Sequence, residues 1–178
     1  YLDKINYNKE NKMGFDLYGK KAKTEKGEYF RNNVWWWRRL AKFVCEQTGV
    51  VDDKDKEAWN YNDGHSVSSN EATQIAKQLR YLIKTGQVDK YQNEVEQEQQ
   101  KAELRNNKVK KLLAKLEKKA VKLSGNSDIA PIDYPSPLDE KWQKIYGMRD
   151  NNSDYPFTKD NVEEFIEFCE GSNGFSIC

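Results

Sequence analysis

The sequence predicts a mainly α protein with a minor β component: a compact helical body, a small sheet formed by the chain ends, and one long projecting coiled-coil-like helix. Three observations predict it. Amphipathic segments with helical spacing recur through most of the 178 residues. A seven-residue apolar repeat runs from Val88 to Leu123 without a Gly or Pro. Short alternating segments next to glycines stand near both ends of the chain.

Residues 1–12 are rich in Asn, Lys and Tyr and have no period, so they are expected as a flexible arm. The first methionine is Met13, where the compact protein is expected to begin. Gly14-Phe15-Asp16-Leu17-Tyr18-Gly19 alternates apolar and polar side chains, as does Gly174-Phe175-Ser176-Ile177-Cys178. Neither strand is stable alone, so the two are expected to pair. A helix follows the cap residues Asn32 and Asn33 and runs to Gly49, with Val34, Trp37, Ala41, Val44 and Cys45 on one face. Trp35 and Trp36 point elsewhere. Ser68 with Glu71 reads as a capping box, Val67 with Ala72 as its staple, and Ile75, Leu79, Leu82 and Ile83 as the stripe of a second helix that Gly86 stops.

The long helix is expected over 88–124. Val88, Val95, Ala102, Val109, Leu116 and Leu123 hold one seam position. Leu113 and Ala120 fill the alternate position in the second half, whereas Gln92, Gln99 and Asn106 occupy it in the first and weaken the seam there. At ~1.5 Å per residue the helix would be roughly 54 Å long. Residues 125–133 read as a linker, followed by a short amphipathic helix over Leu138 to Met148. Thr158 caps the last helix, with Phe157 and Val162 as its staple, and Gly171 is its expected stop. The compact body is thus assigned to 13–87 and 134–178.

Hydrophobic residues make up only 37% of the chain and charged residues 33%, but five Trp, ten Tyr and seven Phe supply large surfaces to bury. A formal net charge of +1 excludes bulk attraction to nucleic acid or membrane, so any such attraction must be local. No apolar run is long enough for a membrane span or signal peptide, and Cys45, Cys169 and Cys178 form no C-x-x-C pair. A cytoplasmic protein without cofactors is expected.

Several groups are candidates for chemistry or binding. Asp63 and His65, in the loop Tyr61-Asn62-Asp63-Gly64-His65, could form an oriented general base, or a simple turn. Cys45, His65, Cys169 and Cys178 match the ligand count of a zinc site but not its spacing. Trp35-Trp36-Trp37-Arg38-Arg39 combines the residue types that dominate binding hot spots; Trp37 reads as core, leaving Trp35, Trp36, Arg38 and Arg39 for a partner. On the long helix, Val109, Leu113 and Leu116 are the candidate partner seam. Bases crowd residues 104–124, and Lys111, Lys115 and Lys119 repel one another at i,i+4 spacing. With Lys108 they are the candidate nucleic-acid contacts, or else a solvated face.

The stretch from Met13 to about Tyr91 carries Met13-Gly14-Phe15-Asp16-Leu17-Tyr18-Gly19, Gly27-Glu28-Tyr29-Phe30-Arg31-Asn32-Asn33 and Trp35-Trp36-Trp37-Arg38. With Tyr155-Pro156-Phe157, Asn161 to Phe165 and Gly174 to Cys178, it resembles a family of small uncharacterised proteins from bacteria and their phages. The resemblance does not extend to the long helix from Glu94 onward. It implies no activity. It does imply a phage accessory or virion-associated role, in the host cytoplasm or in the virion.

The function expected is therefore a non-enzymatic protein–protein interaction module, acting through a protein partner or self-association of the long helix. The alternative is a nucleic-acid-binding protein using the basic half of that helix. A second alternative is an enzyme with His65 as general base.

Overall fold

A computed structural model describes residues 14–178, which form five α-helices and a four-stranded antiparallel sheet. Residues 1–12, expected as an arm, and Met13 lie outside the described residues. The strands are β1 (Gly14–Gly19), β2 (Tyr29–Asn33), β3 (His65–Val67) and β4 (Phe175–Ile177), in the spatial order β2-β1-β4-β3. The helices are α1 (Val34–Gln47), α2 (Ser69–Lys84), α3 (Gln87–Ser124), α4 (Leu138–Tyr146) and α5 (Lys159–Ser172). The fold is mainly α with minor β, as the periodicities predict.

The expected end strands do pair, with Leu17 opposite Ile177 and Tyr18 opposite Ser176. Two further strands join them. β2 lies antiparallel to β1, and β3 to β4. Tyr29-Phe30-Arg31-Asn32-Asn33 does alternate, burying Phe30 and Asn32, but its asparagines read equally well as caps.

By its contacts the chain divides into two units, the first comprising the residues up to Val95 with Tyr155–Cys178, the second Glu96–Asp154. Residues 134–154, expected with the compact body, therefore fall with the larger part of the long helix.

In the first unit one face of the sheet contributes Phe15, Leu17, Phe30, Val67, Phe175 and Ile177 to a core shared with α1, α2 and α5. α1 starts at Asn33, whose Oδ1 accepts from the backbone N–H of Trp35 and Trp36 at 3.1 Å each. Asn32 is no cap. Its side-chain amide exchanges two buried hydrogen bonds with Asn161 at 3.0 and 2.9 Å, joining the end of β2 to the start of α5. The capping box of α2 is present: Glu71 N–H donates to Ser68 Oγ at 3.2 Å and Ser68 N–H to Glu71 Oε2 at 2.8 Å.

α5 begins at the Thr158 cap but runs past the expected stop, ending at Asn173 in the left-handed region at φ 56°. Gly171 serves a different purpose. Its backbone packs against Gly27, and a Cβ there would stand 2.1 Å from Thr24 Oγ1 and 3.0 Å from Gly27 Cα. Glycine permits this close backbone approach while the helix continues.

In the second unit Leu116 and Ala120 of α3 are buried against Tyr134 and Leu138, with Ile129, Trp142 and Ile145 packed on the same cluster. Ile129, inside the expected linker, is half-buried and packs on that cluster. The polar seam positions bind backbone. Asn106 Nδ2 donates to Asp150 O at 2.8 Å while Asp150 N–H donates back to Asn106 Oδ1 at 2.8 Å, and Gln99 Nε2 reaches Ser153 O at 3.4 Å. Within the first unit, Gln92 Oε1 accepts from Lys159 N–H at 2.9 Å. What looks like a weakened coiled-coil seam is a row of docking points for the returning chain. Leu123, the last residue of the apolar repeat, is 69% exposed and belongs to neither cluster.

Candidate functional site

Asp63 is exposed beside Gly64, which takes φ +92° in the turn, and His65 opens β3 opposite Ile177. Among the described residues no hydrogen bond joins Asp63 to His65. The strand pairing accounts for the position of the histidine.

The candidate metal ligands are not brought together. Among the described residues no group of three or more His, Cys, Asp or Glu side chains is placed to hold a metal ion. Cys45 is buried in α1 and Cys169 in α5, while Cys178 is half-buried beyond β4. Burial pushes the Cys45 thiol up to about 12 and the Cys169 thiol well above its ordinary value. Burial thus disfavours the thiolate at both positions.

Trp35 is half-buried and meets Tyr155 edge-on, with ring centroids 4.7 Å apart. Trp36 is also half-buried, on the rim of an open depression of about 490 Å³ where α1 and α5 begin, together with Arg31, Asn33, Thr158, Asp160 and Glu164. Arg38 is exposed and borders a second depression with Lys56 and Glu46, while Arg39 is half-buried and engaged within the chain. Part of this aromatic and basic segment thus packs internally.

The proposed partner seam is likewise occupied. Leu116 lies in the second-unit core, Val109 is 4% exposed, and Leu113 is half-buried. A surface already covered by its own chain cannot also be an open coiled-coil seam, and this corrects the expectation for Leu116 and Val109.

The basic candidates stand differently. Lys108, Lys111, Lys115 and Lys119 are all exposed, as are Lys118 and Lys122. Their spacing of three and four residues places the six on one face of α3, away from Leu116 and Ala120. Among the described residues none of the six has a hydrogen bond or ion pair within the chain. The row extends over 108–122, roughly 21 Å at ~1.5 Å per residue.

Trp142 and Tyr146, one turn apart on α4, stack with centroids 4.7 Å apart and planes 12° from parallel. The Arg149 guanidinium lies 5.1 Å from the Tyr146 ring centre. In sequence the i,i+4 aromatic spacing is visible, but it reads as an apolar face packed into the body, so these residues are not among the sequence-predicted candidates.

No helix among the described residues is long and apolar enough to cross a membrane. No family model, curated protein or solved structure matches the chain.

Proposed function

We propose that this chain is a non-enzymatic binding module whose long helix α3 contacts the backbone of a nucleic acid through Lys108, Lys111, Lys115, Lys118, Lys119 and Lys122. The observation that carries the reading is the row itself: six lysines on one exposed face without an internal partner among the described residues. Holding like charges at i,i+3 and i,i+4 spacing costs a few tenths of a kcal/mol per pair, and a polyanion reverses the sign of that cost. A row of roughly 21 Å spans about six phosphates of one strand at ~3.4 Å each.

Fluorescence anisotropy with a labelled oligonucleotide of about 20 nucleotides tests it. Affinity should fall linearly on a log–log plot against salt, and Lys108→Ala/Lys111→Ala/Lys115→Ala/Lys119→Ala should flatten the slope by about 0.7 to 0.9 for each phosphate no longer neutralised. Binding that ignores both salt and the fourfold change would sink the reading.

A protein partner is the second reading. Leu104 and Leu123 on α3 are 65% and 69% exposed and could seat an apolar contact outside the occupied seam. Replacing both by Ser should abolish protein capture and leave oligonucleotide binding intact. The setting we propose is a phage accessory or virion-associated protein, which rests on the sequence resemblance. Mass spectrometry of purified virions against infected-cell cytoplasm tests that placement.

A further inference from the structure

We propose that the solvent face of the first unit's sheet binds single-stranded nucleic acid, with a base stacking on Tyr18 over Ser176 while Lys20 takes an adjoining phosphate. This site shares no residue with the α3 lysine row and does not rest on it.

Side chains alternate along a strand, so the residues between the core positions share the opposite face. These are Asp16 and Tyr18 of β1, Tyr29 and Arg31 of β2, Ser176 of β4 and Ser66 of β3. The register sets Tyr29, Tyr18, Ser176 and Ser66 in one row across all four strands. Tyr18 and Tyr29 are 51% and 45% exposed, with ring centroids 5.3 Å apart. A cross-strand aromatic pair stabilises a sheet, which accounts for Tyr29 beside Tyr18. It does not account for the other side of Tyr18, where the row continues with two serines. Their small side chains leave a shallow bay walled by the Tyr18 ring. At ~4.8 Å between strands the bay extends roughly 10 Å from β1 to β3, room for one flat base.

The far side of the bay is cationic. Lys20, two residues after Tyr18, reaches across β4, where its Nζ donates to Ser66 Oγ and to the Val67 carbonyl at 3.0 Å. Neither acceptor neutralises it, and among the described residues Lys20 has no ion pair. The Glu71 carboxylate that feels its charge is taken up by the Ser68 cap. The acid of this face is engaged as well: Asp16 accepts from the Tyr29 hydroxyl and lies 3.7 Å from Arg31 Nε. The face therefore carries an uncompensated cation beside an open aromatic ring, the pair that matches the phosphate and base of a single strand. In a duplex each base is already stacked on both faces and cannot enter the bay.

The full chain carrying Lys108→Ala/Lys111→Ala/Lys115→Ala/Lys119→Ala is titrated, by anisotropy, with a labelled oligothymidylate of about 12 nucleotides and with a duplex of equal length. The oligothymidylate should still bind, about tenfold more tightly than the duplex. Adding Tyr18→Ala should weaken it about tenfold, whereas Tyr18→Phe, which keeps the ring, should not. Lys20→Gln lies outside the strand, guards against misfolding of the alanine variant, and should flatten the salt dependence by about 0.7 on a log–log plot. Cys178 supplies a footprint, since two backbone hydrogen bonds of 2.8 Å set it level with Asp16. Saturating oligothymidylate should protect its thiol from iodoacetamide. Loss of all oligothymidylate binding in the fourfold variant would overturn the sheet site and leave the α3 reading standing. Binding indifferent to Tyr18→Ala and Lys20→Gln, or equal for the duplex, would overturn it too. Tyr18-dependent, salt-independent binding of an uncharged oligosaccharide, with none of the oligothymidylate, would overturn it in favour of a sugar.

Discussion

The indole of Trp37 is fully buried, stacks with both Phe15 and Trp59, and donates from Nε1 to the Trp59 carbonyl at 2.7 Å. Truncation to alanine removes one of the largest side chains of the first-unit core, and Trp37→Ala should lower stability by about 3 to 5 kcal/mol in a denaturant melt. Trp37→Phe keeps a ring but strands the Trp59 carbonyl, for a smaller loss of about 1 to 3 kcal/mol. The same logic applies to Asn32 and Asn161, whose buried amides satisfy each other. Each single alanine variant leaves its partner unpaired, so the double variant should cost less than the sum of the two singles in a mutant cycle. Thiol chemistry offers an independent check: iodoacetamide at neutral pH should label the half-buried Cys178 and spare Cys45 and Cys169 until the chain is unfolded. The core role of Trp37 is legible in sequence because it sits in register with Ala41, Val44 and Cys45. That of Trp59 is not, because it lies in the charged, aperiodic run after Val51, where only its size hints at burial.

Helix α2 shows how a local pattern carries through to energetics. Ser68→Ala removes the acceptor for the Glu71 N–H and should cost about 1 kcal/mol. The Glu71 carboxylate, hydrogen-bonded to Ser68, is held below its usual pKa. Its contribution to folding is therefore fully present above the unfolded value of about 4.3 and is lost as pH falls through the lower folded value. Glu71→Gln should flatten the acid limb of the stability profile and leave a smaller change at neutral pH, measurable by thermal melts between about pH 2 and 7. In α5, Gly171→Ala sets two effects against each other. Alanine gains about 1 kcal/mol of helix propensity, but its Cβ would overlap Thr24 Oγ1 at 2.1 Å and press on Gly27, and such overpacking typically costs about 1 to 3 kcal/mol. The net outcome expected is a lower melting temperature. Caps, staples and stripes of this kind are readable because they are decided within a few residues. β2, the three-residue β3 and the backbone hydrogen bonds of Gln99 and Asn106 are not, since each depends on a partner distant in sequence.

Within the second unit, Leu116 and Ala120 of the apolar repeat pack against their own chain. Light scattering at low and high salt should accordingly return a monomer, and Leu116→Lys should unfold that unit rather than dissociate a dimer, seen as a loss of far-UV helical signal without a change in mass at low denaturant. A salt-sensitive dimer would restore the long helix as a homotypic surface. The lysine candidates are legible because charge segregation is a property of the linear sequence, whereas the Trp142, Tyr146 and Arg149 column needs the turn after α4 to be placed. The sheet carries a further consequence, in time rather than energy. β4 sits between β1 and β3 and pairs with both, so its partners come from well-separated parts of the first unit's chain. During synthesis β1 and β2 can form a hairpin early, but β3 emerges with no neighbour to bond. Both β1 and β3 must keep an open edge until residues 175–177 have cleared the ribosome, after every described helix has been made. Non-local pairing of this kind slows folding and exposes unpaired strand edges meanwhile, so the nascent chain, rather than the finished protein, is where this molecule is most vulnerable to aggregation.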